Sequence, residues 1–400
     1  MRKHTWRNIL FLSLIPMRDM NERGIYTDLL REFIKRGHYV RAVSPIPGEP
    51  DRDTRGEGYG ILQVNTPPMQ KIDFLRKGIN SLRIGPVLRR AIAKYCKDER
   101  YDLILVATPP ITIAKTVEWV KRRDGARVYL LLKDIWPQGI ADLGAISQNG
   151  LAYKYYRSKE KKLYALSDRI GCMSPANVDY LLRHNPEIDP THVEICPNSV
   201  EVVDETVSPE KRWALREKYG IPPDKTVFLY GGNLGRPQGI PFLIECLRRC
   251  TSMADAFFVV CGAGTEYPKL KAFVESERPG NLLLLGGLPR EDYEAFATAC
   301  DVGLLFLDYR FTIPNFPSRL LSYLQKAMPV IACTDPCTDV GDIAQAEGFG
   351  WKCPSNDVQA FAGIVELACC ANRSAMGTAA RAYLLAHCTA EQGYHIITRD

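Results

Sequence analysis

Four hundred residues exceed one ordinary core and suit two α/β domains of about 200 residues each. An apolar content of 46%, a charged content of 24% and the lack of low-complexity tracts exclude a disordered or fibrous chain. The net charge of +6 conceals an asymmetry, since residues 1–200 hold about 33 Lys and Arg against about 22 Asp and Glu, leaving the second half acidic. A basic half interleaved with apolar residues suits an anionic membrane surface, at about 1 kcal/mol per cation, better than nucleic acid, for which no recognisable module is present.

The first apolar run, ILFLSLIPM after Arg2, Lys3 and Arg7, lacks a small-residue cleavage site and leads straight into a helical pattern, so it reads as a buried strand rather than a signal peptide. Strand-like runs at 8–16, 39–45, 101–110 and 127–134 then alternate with helical patterns at 26–38, 71–97 and 111–123. After a helix near 150–166 come short runs at 169–174 and 193–199. Strand, helix, strand in this order means parallel βαβ units and a doubly wound sheet. The polar stretch 200–225 reads as linker and domain entry, after which strands at 226–232, 256–264, 281–287, 302–307 and 329–333 restart the pattern. The expected architecture is α/β: a Rossmann-like domain over 1–202, a second over 203–385, and a segment 386–400 able to pack back on the first, with the two sheets facing a central cleft.

Most of the thirteen cysteines, among them Cys172, Cys196, Cys261, Cys300 and Cys333, sit in apolar runs without a CxxC pair, as buried thiols of a reducing compartment do. No apolar run reaches the roughly 18 residues that span a bilayer, so the expected location is the cytoplasm, free or peripheral at the inner face of the plasma membrane.

Gly231, Gly232 and Gly235 follow a buried strand and precede a helix, where backbone N–H groups can approach a phosphate, and Arg236 adds a cation. No GK[ST] follows, so this is not a P-loop. At 312–333, a polar turn leads into a helix whose first turn holds Pro317, Ser318 and Arg319, with Asn315 as its expected N-cap. A helix start plus Arg319 forms a second anion cradle. Small residues recur at the strand ends 261–264 and 286–287. In the first half, Lys133 and Asp134 end a buried strand, where an acid can take a proton from an acceptor hydroxyl, and the loop bearing Arg23 and Gly24 opens a helix. Asp51-Arg52-Asp53 spells a D-x-D but falls in a Pro- and Gly-rich loop away from any expected strand end, and His38 reads as structural. No His, Asp or Glu set has metal-ligand spacing, so no metal site is expected.

RGHYVRAVSP, LLKDIWPQGIADLG, VEICPNSVE, YGGNLGRPQGIPFLIE and FPSRLLSYLQKAMPVIA, in this order, resemble segments of glycosyltransferase family four of the GT-B fold. The branch they resemble in particular is the bacterial one that includes N-acetylfucosamine transferases of O-antigen and capsule assembly. The resemblance implies a retaining, metal-independent transfer of an N-acetylated deoxyhexosamine from a UDP-sugar, the co-substrate with no separate cofactor, to a polyprenyl-diphosphate-linked glycan. It implies that Gly232, Asn233, Gly235, Arg236 and Arg319 hold the diphosphate, that Gly262, Gly264, Glu266, Leu288 and Pro289 hold uridine, and that Gly231, Gln238 and Ser318 belong to the same donor site. Asp134 with Lys133 would be catalytic, and Arg23 and Gly24 would meet the acceptor. Pro314 and Ser322 stand where many relatives carry a glutamate pair that contacts donor sugar and ribose. Two other readings fit such a fold: an enzyme like UDP-N-acetylglucosamine 2-epimerase, and a non-catalytic nucleotide-sugar-binding partner.

Overall fold

In the computed structural model, which describes residues 7–69, 74–204 and 207–399, the first apolar run becomes strand β1 (Asn8–Leu12) inside a sheet. Alternation sends Leu10 and Leu12 to one face and Ile9 and Phe11 to the other, and all four are buried because helices cover both faces. Helices Phe74–Tyr95, Ala114–Asp124 and Leu151–Leu166 contribute Ile84, Leu88, Val117 and Leu163 to the first face, while Leu30 and Phe33 of helix Ile25–Lys35 cover the second. Burying each such side chain stabilises the fold by about 1.5–3 kcal/mol before the entropy of ordering is counted.

Seven further strands complete this sheet: β2 (Tyr39–Pro45), β3 (Arg52–Gly56), β4 (Tyr59–Val64), β5 (Leu103–Ala107), β6 (Arg127–Leu132), β7 (Arg169–Cys172) and β8 (Val193–Ile195). Their order is β3-β4-β2-β1-β5-β6-β7-β8, and every pair is parallel except β3 with β4. Past Glu201 the chain builds a second unit, Val202–Cys388, and from Thr389 it rejoins the first. The returning helix Ala390–Thr398 is fastened to the first unit: His38 Nε2 lies 2.8 Å from Tyr394 Oη, Arg36 donates to Glu391 at 2.7 Å, and Thr389 bridges Val200. His38 thus ties the turn before β2 to the returning helix.

The second unit carries a six-stranded parallel sheet: β9 (Thr226–Asn233), β10 (Ala256–Ala263), β11 (Leu282–Leu285), β12 (Val302–Phe306), β13 (Val330–Thr334) and β14 (Gly350–Pro354), in the order β11-β10-β9-β12-β13-β14. Its core packs Phe228, Phe258 and Phe306 of the sheet against helix Ile240–Arg249 and against Phe361 of helix Val358–Cys370.

Three local expectations are corrected. Asp51-Arg52-Asp53 does not lie in a loop remote from strands: Arg52 and Asp53 begin edge strand β3, and Asp53 accepts a hydrogen bond at 2.6 Å from Arg41, whose side chain is fully buried. The carboxylate balances a buried guanidinium. The stretch 200–225 is not all linker, since Pro209–Lys218 is helical, capped by Ser208 Oγ accepting from Lys211 N–H. Strand β14 went unread because WKCP alternates too weakly to signal one. Arg2, Lys3 and the opening of the basic stretch 71–97 lie outside the described residues.

Candidate functional site

Strand β9 runs on through Gly231 and Gly232 to Asn233, so these glycines end the strand rather than follow it. Each has a steric reason. A Cβ on Gly231 would lie 1.9 Å from Tyr293 Oη, and one on Gly262 would lie 1.9 Å from the Gly232 carbonyl oxygen. Gly232 has φ +114, a value that favours glycine, and turns its exposed backbone beside Arg319, whose Cζ would be 3.8 Å from a Cβ there. The next turn, Arg236–Gln238, is stapled by Gln238: its Oε1 accepts from Gly235 N–H at 3.1 Å and from Asn233 Nδ2 at 3.0 Å. Gln238 therefore shapes the loop through its amide oxygen, while Arg236 remains exposed.

Arg319 opens helix Arg319–Gln325, with Ser318 rather than Asn315 as N-cap. Asn315 is drawn away because its N–H donates to Thr338 Oγ1 at 3.0 Å and its side chain to the Ile313 carbonyl. The Arg319 guanidinium lies 4.4 Å over the Tyr230 ring, and its Nη1 is buried without a hydrogen-bond partner. Burial opposes the Arg319 charge, but Tyr230 and Tyr323 favour it, and the balance holds its pKa above the ordinary value. Tyr323 is fully buried and fixes the strand beneath: its hydroxyl donates to Leu229 O at 3.0 Å and accepts from Gly231 N–H at 3.1 Å. A buried guanidinium with an unpaired N–H beside exposed glycine backbone is an arrangement that an anion completes.

The adjacent loops join this edge. Gly264 packs on the backbone of Leu234, Glu266 N–H donates to Leu234 O at 2.9 Å, and Leu234 N–H donates to Ala263 O at 3.0 Å. Glu266 itself is buried and paired with Lys269. A Cβ on Gly287 would sit 3.7 Å from that of Ala263, which brings the loop of Leu288 and Pro289 alongside, with Leu288 half-buried and Pro289 exposed. Ser318 is exposed. The predicted donor residues thus gather at one edge of this unit.

Sequence reasoning missed Glu294. From helix Arg290–Ala297 its carboxylate accepts from Ser322 Oγ at 3.0 Å and pairs with Lys326, whose side chain is 2% exposed. Position 322 therefore lacks an acid of its own yet holds one by contact. No spacing within the 312–333 block could have signalled it, because the acid comes from another helix.

In the first unit, Lys133 and Asp134 follow β6, and Thr108 Oγ1 accepts from the N–H of Lys133 at 3.0 Å. Lys133 Nζ donates to Cys196 O at 3.3 Å. Asp134 keeps a solvent-exposed face, yet the surrounding protein desolvates its carboxyl and pushes it up to about 6, against the pull of Lys133. Arg23 is half-buried, and the Gly24 N–H is already engaged by Asp28 Oδ1 at 2.9 Å. Asp28 is the organiser here: it also accepts from Arg31 at 2.6 Å and from Glu201 N–H at 2.9 Å. Among the described residues, no group of three or more His, Cys, Asp or Glu is placed to hold a metal ion, and no helix is long and apolar enough to cross a membrane.

The chain is 24% identical to "Probable glycosyltransferase WbjE" of Pseudomonas aeruginosa, over 71% of this chain and 70% of that one. It is 23% identical to WcaI of Escherichia coli K12, named for colanic acid biosynthesis, over 80% and 82%. Among solved structures, sucrose-phosphate synthase of Thermosynechococcus elongatus superposes with a TM-score of 0.76 at 16% identity, covering 98% and 97%. Anabaena HepE, in complex with UDP and glucose, superposes at 0.70 and 15%, covering 98% of each. Residues 25–203 match Glycosyltransferase Family 4 and residues 211–382 match Glycosyl transferases group 1, so that the chain, with its two Rossmann-like units, is a glycosyltransferase of the GT-B fold.

Proposed function

We propose that this enzyme transfers a sugar, an N-acetylated deoxyhexosamine, from a UDP-sugar to a polyprenyl-diphosphate-linked precursor of a bacterial surface polysaccharide, with retention of configuration and without a metal. The observation that carries the reading is the buried, unpaired Nη1 of Arg319 beside the exposed backbone of Gly232. In the reaction the bond from the anomeric carbon to the diphosphate oxygen breaks, and the acceptor hydroxyl oxygen bonds to that carbon. The hydroxyl proton leaves to a base. Arg319 and the exposed Arg236 stabilise the charge that develops on the departing diphosphate, which is the task metals perform elsewhere. Asp134, its carboxyl pushed up to about 6, is ionised at neutral pH yet more basic than an ordinary carboxylate, and so is suited to receive the proton. UDP in the Anabaena neighbour and colanic acid in the name of the Escherichia coli relative support donor and pathway class. For the acceptor's lipid and the inner-leaflet surface, the support is helix Phe74–Tyr95, where exposed Ile79 and Leu82 stand among Arg76, Arg83, Arg89 and Arg90.

Calorimetric titration with UDP and with GDP, chelator present, tests the donor site. UDP is expected to bind, and Arg319→Ala to weaken it by more than tenfold, about 1.4 kcal/mol. A folded protein that binds neither nucleotide overturns the proposal.

A further inference from the structure

In the first unit, a recess opens between helix Ile25–Lys35, the end of β6 and the segment after β8, lined by Tyr26, Leu29, Leu131, Lys133, Asn198 and their neighbours. Apolar side chains and the polar groups of Lys133, Asn198 and Ser199 share its lining, and it has room for one water-sized group. Asn198 is 7% exposed, and its Oδ1 has neither solvent nor a hydrogen-bond partner. An amide oxygen left in this condition lowers the stability of the fold, so a partner arriving from outside has something to gain. Lys133 helps hold the segment that presents Asn198, through its bond to Cys196 O. The recess also adjoins the proposed base, since Asp134 follows Lys133 in the chain and its charge acts on Tyr26.

We propose that Asn198 is an acceptor-specificity residue whose side-chain amide receives one hydroxyl of the acceptor sugar in this recess. A hydroxyl fits better than an anion because the space is small and the unpartnered atom is an acceptor, which an O–H can satisfy and an anion cannot. The inference rests on the transferase reading and assigns the acceptor's place within it.

The test uses the full chain saturated with UDP and titrated with octyl hexosides (glucoside, galactoside, mannoside and N-acetylglucosaminide) and their singly deoxygenated analogues. The native protein is expected to bind at least one and to lose fivefold or more on removal of one particular hydroxyl. Asn198→Ala is expected to bind parent and analogue alike, and, having lost an unsatisfied buried atom, to melt no lower than the native protein. Asn198→Ser, which can still meet a hydroxyl, is expected to keep part of the discrimination. The inference is overturned if Asn198→Ala discriminates as before, if none of the glycosides binds, or if the variant melts several degrees lower, which would mark the amide as the partner of a structural water. Retained UDP binding in any of these cases leaves the donor reading standing, and lost UDP binding in the native protein removes both.

Discussion

The Asp134 carboxyl is pushed up to about 6, and the sign of the shift decides what its removal does. Burial raises its folded-state pKa to about 6 from an ordinary 3.8, so the folded chain holds this proton more tightly than the unfolded one. Stability from this group is therefore present at low pH and is lost as pH rises from about 4 to about 6. Asp134→Asn removes the penalty, and because the side chain keeps solvent contact the gain is small. At pH 7 the variant should melt no lower than the native protein, while transfer falls by about 100-fold or more with UDP binding unchanged. The native acid limb of kcat should have its midpoint near 6. Normal transfer with a lowered melting temperature would remove Asp134 from the reaction. Glycines at the donor edge separate just as sharply. Gly262→Ala forces a Cβ against the Gly232 carbonyl and should cost about 1–3 kcal/mol in denaturant unfolding together with UDP affinity, whereas Gly287→Ala meets only Ala263 at 3.7 Å and should be silent.

Helix Arg290–Ala297 is joined to the end of helix Arg319–Gln325 through Glu294, which accepts from Ser322 and pairs with Lys326, whose side chain is almost wholly buried. Glu294→Gln leaves that ammonium poorly balanced and should cost about 2–3 kcal/mol, with Arg319 loosened and UDP bound more weakly. The double change Glu294→Leu with Lys326→Met should cost less than the single one, as read by denaturant unfolding; an equal or larger loss would mean the pair's electrostatics are not what holds the helices. That junction also marks where sequence reading stops. Runs such as 39–45 and 226–232 announced strands to within a residue or so because both faces of each are buried, while Gly231 and Gly232, read as following the strand, lie within its end, where a Cβ on Gly231 would meet Tyr293 and Gly232 has a positive φ. Strand β3 announced nothing: all five of its residues are exposed, and its place follows from Arg41 needing Asp53. Asn315 has the residue type of an N-cap, yet Thr338, 23 positions away, claims its backbone. Glu294 at Ser322, Asp28 at Glu201 and Tyr323 at Gly231 are likewise pairings across long sequence separations that local pattern cannot encode.

The charge asymmetry belongs to the chain as a whole, with the positive excess in residues 1–200 and the acidic balance after them. On helix Phe74–Tyr95, Ile84, Leu88 and Ile92 face the core, while Ile79 at 52% and Leu82 at 43% remain exposed between arginines. Two exposed apolar side chains would each lose contact with water on an interface, at about 1.5–3 kcal/mol when fully buried, while the arginines gain from anionic headgroups only within a Debye length. Both contributions should therefore be visible, and separable, in vesicle sedimentation. Phosphatidylglycerol vesicles should retain the protein at about 0.05 M salt and release most of it at about 0.5 M, because screening removes the cationic contribution. Ile79→Ser with Leu82→Ser should weaken retention tenfold or more even at low salt, without lowering the melting temperature, since neither side chain is part of the core. Vesicles of neutral lipid should retain little of either protein. If the double variant sediments like the native chain, the arginines act alone and the helix face is no anchor; if the native chain ignores anionic vesicles at low salt, the basic half is a solvated surface and the acceptor must reach the enzyme without its help.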